Sequence, residues 1–309
     1  MLPAYVTHPD CARHEMGPGH PECPERLAAI ADMLLLRGLL DYMLPVDAPL
    51  ATEAQLERAH SAMHVRRVLD AAPASGYTQV DPDTRMNPFT VPAALRAAGA
   101  AVKATDLVLS GEAASAFCAV RPPGHHAERD AAMGFCFFNN VAVGIRHALE
   151  VHKLERVALI DFDVHHGNGS EDILHDDPRV LMCSTFEDKL YPFCGNIPRG
   201  PNMVNLALPA RSGGEALRAA ITEHWLPALE RFAPQMIFIS AGFDGHREDD
   251  MGNLGLVEAD FAWITRQIVA VAQRHAQGRI VSCLEGGYEL SSLARSAAAH
   301  LKVLLGLDN

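Results

Sequence analysis

Apolar residues in this chain fall into two kinds of run that alternate along it. Short, nearly continuous runs occupy Ala4–Thr7, Ser115–Val120, Val157–Asp163, Val180–Ser184, Val204–Leu208, Met236–Ser240 and Ile280–Glu285. They are β-prone and apolar throughout, as expected of strands buried on both faces of a parallel sheet. Between them, apolar residues recur every three or four positions. Pro24 opens one such helix, with Leu27, Ile30, Ala31 and Leu34 on one face. A second runs from Glu215 with Leu217, Ile221, Trp225, Ala228 and Leu229. A third starts near Glu258, buries Phe261, Ile264, Ile268 and Val271, and stops at Gly278. Ala93–Ala104 reads as a packed helix. Gly17–Pro24, Asp81–Pro92 and Gly195–Pro201 read as loops. The alternation, with no repeat or long linker, predicts one α/β domain: a mostly parallel central sheet with helices on both faces.

Composition narrows the function classes. The 309 residues are 49% apolar and 21% charged, enough for a large core. The net charge of −12, without a basic stripe, argues against direct nucleic-acid binding. It suits a neutral or cationic substrate, although acidic surfaces mainly serve solubility. The seven cysteines form no C-x-x-C pair, and Cys118, Cys183 and Cys283 sit in apolar strands, which points to a reducing compartment. The N-terminus lacks a basic leader and no apolar run reaches spanning length, so a soluble, cytoplasmic protein with no membrane partner is expected. An oligomer is compatible with this composition.

The chemistry gathers after the strands. Asp161-Phe-Asp163-Val-His165-His166-Gly-Asn168-Gly169 follows an apolar run and ends in glycines. Residues i and i+2 share a strand face, so Asp161, Asp163 and His165 project together at the C-terminal edge of the sheet, where α/β proteins build sites. Asp163 and His165 offer one oxygen and one nitrogen ligand, suited to zinc or a neighbouring first-row metal. A lone D-x-H would read more plainly as a strand end whose Asp caps a helix. Two Asp, two His and two Gly within ten residues favour a site. Asp244, after Met236–Ser240, is the natural third ligand. His125 and His126, held after Val120 by Pro122, Pro123 and Gly124, suit acid–base work. Gly286 and Gly287 let backbone approach a ligand, and Tyr288 offers a phenol to a developing oxyanion. Phe135, Phe137 and Phe138 read as core, with one of them free to line a channel, ahead of a helix capped by Asn139 or Asn140. Taken singly, a surface His pair or a packing tyrosine is the plainer reading; together the set is complete for metal-assisted amide hydrolysis.

The motifs RPPGHHAE (121–128), GFCFFNN (134–140), DFDVHHGNG (161–169), SAGFDGH (240–246) and LEGGYEL (284–290), with HPECPER (20–26), resemble the histone deacetylase and acetylpolyamine amidohydrolase family. Asn168, the pair His246-Arg247 and Glu285–Tyr288 look like its class II and bacterial branch. The resemblance implies the arginase–deacetylase fold over residues 1–309 as a single zinc-dependent deacetylase domain. It implies one zinc ion on Asp163, His165 and Asp244, and His126 as base and acid, oriented by Asn168. His125 is oriented by Asp161, and Tyr288 stabilises the oxyanion. Where class I relatives carry Asp, Asn168 removes a charge that would raise the His126 pKa. Asp161 and Ser184 match a structural potassium site. Phe135 and Tyr191, where most relatives have Phe, wall an acyl-lysine tunnel, with Gly134 and Gly286 beside it and Asp83 as anchor for a substrate backbone amide. The implied substrates are N-ε-acyl-lysine in peptides or proteins, or a small acylated amine such as an acetylpolyamine. Met251 stands where a polyamine enzyme would carry an acidic gatekeeper. A ureohydrolase on the same fold would need further carboxylates after Asp244, and a non-enzymatic acyl-lysine-binding scaffold would have lost a ligand or Tyr288.

Overall fold

A computed structural model describes residues 1–308. Ten strands form: β1 (Ala4–Thr7), β2 (Leu44–Asp47), β3 (Thr78–Asp81), β4 (Thr84–Met86), β5 (Ala116–Cys118), β6 (Val157–Asp161), β7 (Val180–Glu187), β8 (Met203–Leu208), β9 (Met236–Ala241) and β10 (Ile280–Leu284). Eight of them make one sheet in the order β2-β1-β5-β10-β9-β6-β7-β8. Every pairing in it is parallel. β3 and β4 form a separate antiparallel hairpin.

Strand alternation splits the apolar side chains into two cores. Val157 and Leu159 face one, with Val281, Cys283 and the helices at 90–110 and 140–150. Ala158 and Ile160 face the other, with Ile237, Ile239 and the helices at 25–36, 258–275 and 290–304. Helices thus cover both faces, which is why the strands are apolar throughout. The helices are α1 (Glu25–Leu36), α2 (Glu53–Leu56), α3 (Ala62–Asp70), α4 (Thr90–Ser110), α5 (Asn140–Glu150), α6 (Asn168–Leu174), α7 (Gly214–Ala220), α8 (Leu226–Phe232), α9 (Glu258–His275) and α10 (Leu290–Leu304). None is long and apolar enough to cross a membrane.

The expected elements form but differ in extent, and the strand expected over Ser115–Val120 covers only Ala116–Cys118. The strand expected over Val157–Asp163 ends at Asp161, because the Asp163 N–H donates to Asp161 Oδ1 at 3.1 Å instead of to a ladder. The helix from Glu215 is α7 and α8 joined by a π turn, Ile221–Trp225; Pro227 lies just beyond and has no N–H to give. The stretch Asp81–Pro92, expected as loop, holds the β3–β4 turn and the first turn of α4.

Two buried histidines tie stability to pH. His300 lies between Thr265 Oγ1 (2.7 Å) and Ser282 Oγ (3.0 Å). His60 Nε2 accepts from Asn139 N–H (2.9 Å) and its Nδ1 donates to Glu128 O (2.9 Å). Burial pushes both down to about 3. The folded values lie below that of the unfolded chain, so the unfolded chain takes the proton first. Their contribution is complete above the ordinary histidine value near 6.5 and is lost as pH falls toward 3. Within that window each group adds a slope of about 1.4 kcal/mol per pH unit. His300→Gln is therefore expected to flatten the pH dependence of the unfolding free energy by about one proton. Denaturant titrations of both proteins across that window check this; parallel slopes would remove His300 from the account.

Candidate active site

The four strands that lead into chemistry are contiguous at the centre of the sheet, in the order β5-β10-β9-β6. They are parallel, so their C-terminal ends open on one edge and their loops meet there. β5 delivers His125 and His126, β10 delivers Tyr288, β9 delivers Asp244, and β6 delivers Asp161, Asp163 and His165. Although β6 ends at Asp161, the alternation continues. Phe162 and Val164 pack in the second core, and the polar residues between them turn the other way.

Asp163, His165 and Asp244 are buried and present ligand atoms within 4.8 Å of one another. Asp163 Oδ1 accepts from His165 N–H (2.9 Å) and Oδ2 from Gly286 N–H (2.8 Å). Asp244 Oδ1 accepts from Val164 N–H (2.9 Å). Asp244 Oδ2 is buried with no hydrogen-bond partner, and lies 3.2 Å from His165 Nδ1. A buried, unsatisfied carboxylate oxygen costs free energy unless a cation or proton meets it. Protons show the same demand. Burial and the Asp163 charge push Asp244 up to about 7, and Asp163 and Asp244, against burial, pull His165 up to about 10. Two carboxylates and an imidazole facing one point fit a divalent metal. Gly286 is required here, since a Cβ would sit 1.9 Å from Asp244 Oδ2.

The two histidines differ in charge. Their rings lie 4.0 Å apart. His125 Nδ1 is 3.1 Å from Asp161 Oδ2. Against burial, Asp163 and Asp161 pull His125 up to about 10. Burial, then the charges of His125 and His165, hold His126 well below its ordinary value. A bound cation would act in the same direction on His126. Asn168 Nδ2 donates to Glu128 Oε1 (2.9 Å), so Asn168 Oδ1 faces His126 Nδ1 at 2.8 Å. The proton of His126 therefore sits on Nδ1, and its Nε2 lone pair is free. Gly134 brings backbone against this ring: its φ is +56°, and a Cβ would lie 2.6 Å from His126 Cδ2.

Two aromatic rings flank the cluster. Phe135 packs edge-on to Tyr288 at 5.8 Å, and Tyr191 edge-on to His126 at 5.1 Å. The Tyr191 hydroxyl is buried without a partner. Asp83 lies in the β3–β4 turn and accepts from Thr84 Oγ1 at 2.7 Å. Thr84 Oγ1 in turn accepts from Phe135 N–H at 2.9 Å, which ties the turn to the ring. Ser184 is the register partner of Asp161 on the neighbouring strand, and its Oγ lies 3.2 Å from His166 Nδ1. Burial holds the Tyr288 phenol well above its ordinary value, so it stays protonated and can donate.

Glu285 and Arg26 lie inside the motifs at 284–290 and 20–26, and the structure gives both a part in the site. Glu285 accepts from the N–H groups of Gly124 (2.6 Å) and His125 (3.1 Å) and from Ser240 Oγ (3.2 Å), fixing the loop of the histidine pair. Arg26 donates to Gly287 O (2.6 Å) and Glu285 O (2.5 Å), with its guanidinium 4.9 Å from the Tyr288 ring. The available signal for Glu285 was a charge between an apolar strand and two glycines; Arg26, in a motif already rich in charge, carried none. A second His/Asp group, Asp106, His147 and His152, joins α4 to the end of α5. Both imidazoles give an Nε2–H to Asp106 Oδ1 at 2.7 Å, and Arg58 occupies His147 Nδ1 at 2.8 Å, so protons already fill that cluster.

Comparison with known proteins agrees with this geometry. The model of the histone deacetylase domain matches residues 20–304. The chain is 37% identical to the protein named probable deacetylase of Archaeoglobus fulgidus, over 94% of this chain and 82% of that one. It is 37% identical to the histone deacetylase-like amidohydrolase of Pseudomonas aeruginosa, over 94% and 78%. It is 37% identical to a polyamine deacetylase of Mus musculus, over 92% of this chain and 45% of that one. The solved structure of the HDA15 HD domain superposes with a TM-score of 0.92 at 32% identity, covering 99% of this chain and 88% of that domain. A central parallel sheet with metal-fitting residues, a histidine pair and a phenol at one edge, matched over nearly the whole chain, makes this protein a member of the histone deacetylase family.

Proposed function

We propose that this chain, acting as one domain over residues 1–309, is a zinc-dependent hydrolase that removes acyl groups from N-ε-acyl-lysine. The observation that carries the reading is the unsatisfied Asp244 Oδ2 among Asp163 and His165, with a neutral His126 and a protonated Tyr288 at the same sheet edge. Asp163, His165 and Asp244 would hold the ion. When bound, it supplies a Lewis acid for the acyl carbonyl and acidifies water. His126, with Nδ1–H fixed by Asn168, accepts a proton on Nε2 from the attacking water. The same nitrogen then delivers that proton to the departing amine as the C–N bond breaks. Tyr288 donates its hydroxyl hydrogen bond to the oxygen on which charge develops. His125 stays charged against Asp161 and keeps His126 neutral. Asp161 and Ser184 are the residues for a structural potassium ion. The seven free cysteines support work in a reducing compartment, the cytoplasm.

Substrate choice turns on the rim. Met251 packs against the core, its N–H bound to the same Asp249 carboxylate as that of Tyr288, and offers no carboxylate to a second ammonium, whereas Asp83 can accept from a peptide amide. An acetylpolyamine is the second reading, favoured by the net charge of −12 and by the polyamine deacetylase among the relatives. We expect a higher kcat/KM on acyl-lysine peptides than on acetylated spermidine or putrescine. Asp83→Ala should raise KM more for peptides than for small amines. Paired kinetics on one preparation test both. A preference for polyamines of about tenfold, about 1.4 kcal/mol in the transition state, reverses the assignment.

A further inference from the structure

Buried groups of opposite charge hold the backbone of the Tyr288 loop from two sides. Glu285 N–H donates to Ala241 O at 3.0 Å, and Phe243 N–H donates to Gly286 O at 3.0 Å. Gly286 N–H goes to Asp163. Arg26 takes the carbonyls of Glu285 and Gly287. The N–H groups of Tyr288 and Glu289 both donate to Asp249 Oδ2, at 2.6 and 3.0 Å. Asp249 is buried, 4% exposed, and its Oδ1 accepts from Met251 N–H at 3.0 Å. Asp249 lies downstream of Asp244 in the loop after β9, pinned by its own N–H to His246 O at 2.9 Å. One carboxylate therefore joins the loop of a metal-fitting residue to the backbone of the phenol.

Service to α10 does not account for both bonds. Glu289 already caps that helix, its carboxylate accepting from Ser292 N–H at 2.5 Å. One Asp249 bond goes to the N–H of the cap residue Glu289 itself, but the shorter, at 2.6 Å, goes upstream to Tyr288, the residue that presents the hydroxyl. We propose that Asp249 is a positioning residue for Tyr288, setting the height and direction of the phenol over the reacting carbonyl. A charged acceptor suits the task, since charge-assisted bonds to backbone N–H groups are short and strong. Its removal leaves three N–H groups without their acceptor and frees the loop on one side, while Arg26 still holds the other. A misplacement of about 1 Å can cost about 10²-fold in rate.

This inference rests on the reading of Tyr288 as oxyanion donor, and a double-mutant cycle on the zinc-loaded enzyme tests it. Asp249→Ala is expected to lower kcat by about 10–100-fold, with KM little changed and metal content equal to that of the wild type. In the Tyr288→Phe background the same change should cost no more than about twofold, the scatter expected of changes that do not interact. If Asp249→Ala lowers kcat by the same factor in both backgrounds, or leaves it unchanged in the wild type, Asp249 does not position the phenol. Near-normal turnover of Tyr288→Phe alone would instead remove the role of Tyr288, and the Asp249 role with it. Should Asp249→Ala not fold, the cycle is run with Asp249→Leu, which fills the space and removes both acceptor oxygens, and the same two outcomes decide.

Discussion

Asp163→Asn and Asp244→Asn are each expected to lose bound metal and activity together. Each replaces an anionic oxygen in a cluster whose burial makes positive charge necessary. In Asp244→Asn the unsatisfied Oδ2 becomes an amide group, and His165 loses one of its two carboxylate neighbours. In Asp163→Asn the Gly286 N–H also loses its charged acceptor, so the Tyr288 loop loosens as the ligand set weakens. Lewis-acid polarisation is worth several kcal/mol, so kcat/KM should fall by at least about a thousandfold in either variant. Metal content by elemental analysis should fall in parallel, from about one equivalent per chain. His126→Ala serves as comparison, since it should lose turnover while keeping the metal. Full metal occupancy in both Asp variants would sink the ligand assignment, whatever happened to the rate.

The ligand spacing was legible because side-chain alternation outlasts the strand. Val157 and Leu159 set one phase, Ala158 and Ile160 the other. Asp161, Asp163 and His165 continue the first phase, although the regular strand stops at Asp161. Asp244 and Tyr288 were legible as polar residues just beyond apolar strands, and the all-parallel order then forces them to one edge. The walls of the site came differently. Nothing periodic marks Tyr191 or Asp83, and they were reached only through the family resemblance. The β3–β4 hairpin leaves no strand pattern in the sequence, because its strands are four and three residues long and β3 has no fully buried side chain. β2, at the sheet edge where proline is tolerated, carries Pro45 and mostly exposed side chains and gives no apolar run. The positioning residues were least legible. Arg26 holds Gly287 across 261 positions, and Asp249 holds Tyr288 across 39. Bonds from side chains to distant backbone leave no local pattern.

Tyr288→Phe is expected to keep the fold and the metal while losing about 10²–10³-fold in kcat, the usual cost of one oxyanion donor. The substitution removes only the hydroxyl. The ring keeps its edge-on contact with Phe135 at 5.8 Å and its place 4.9 Å from the Arg26 guanidinium. Its backbone bond to Asp249 is untouched. Substrate binding should change little, because the donor matters most where charge develops, so the loss falls on kcat rather than KM. The pH profile separates a donor from a base. Burial, against the opposing charge of Arg26, holds the phenol well above the ordinary tyrosine range. It stays protonated across the working range, and removing it should lower the whole rate profile without moving its limbs. A titrating catalyst would leave a different signature, since one limb would vanish with the residue. Turnover near that of the wild type, at any pH, would return Tyr288 to a packing role and leave the oxyanion without a donor from this chain.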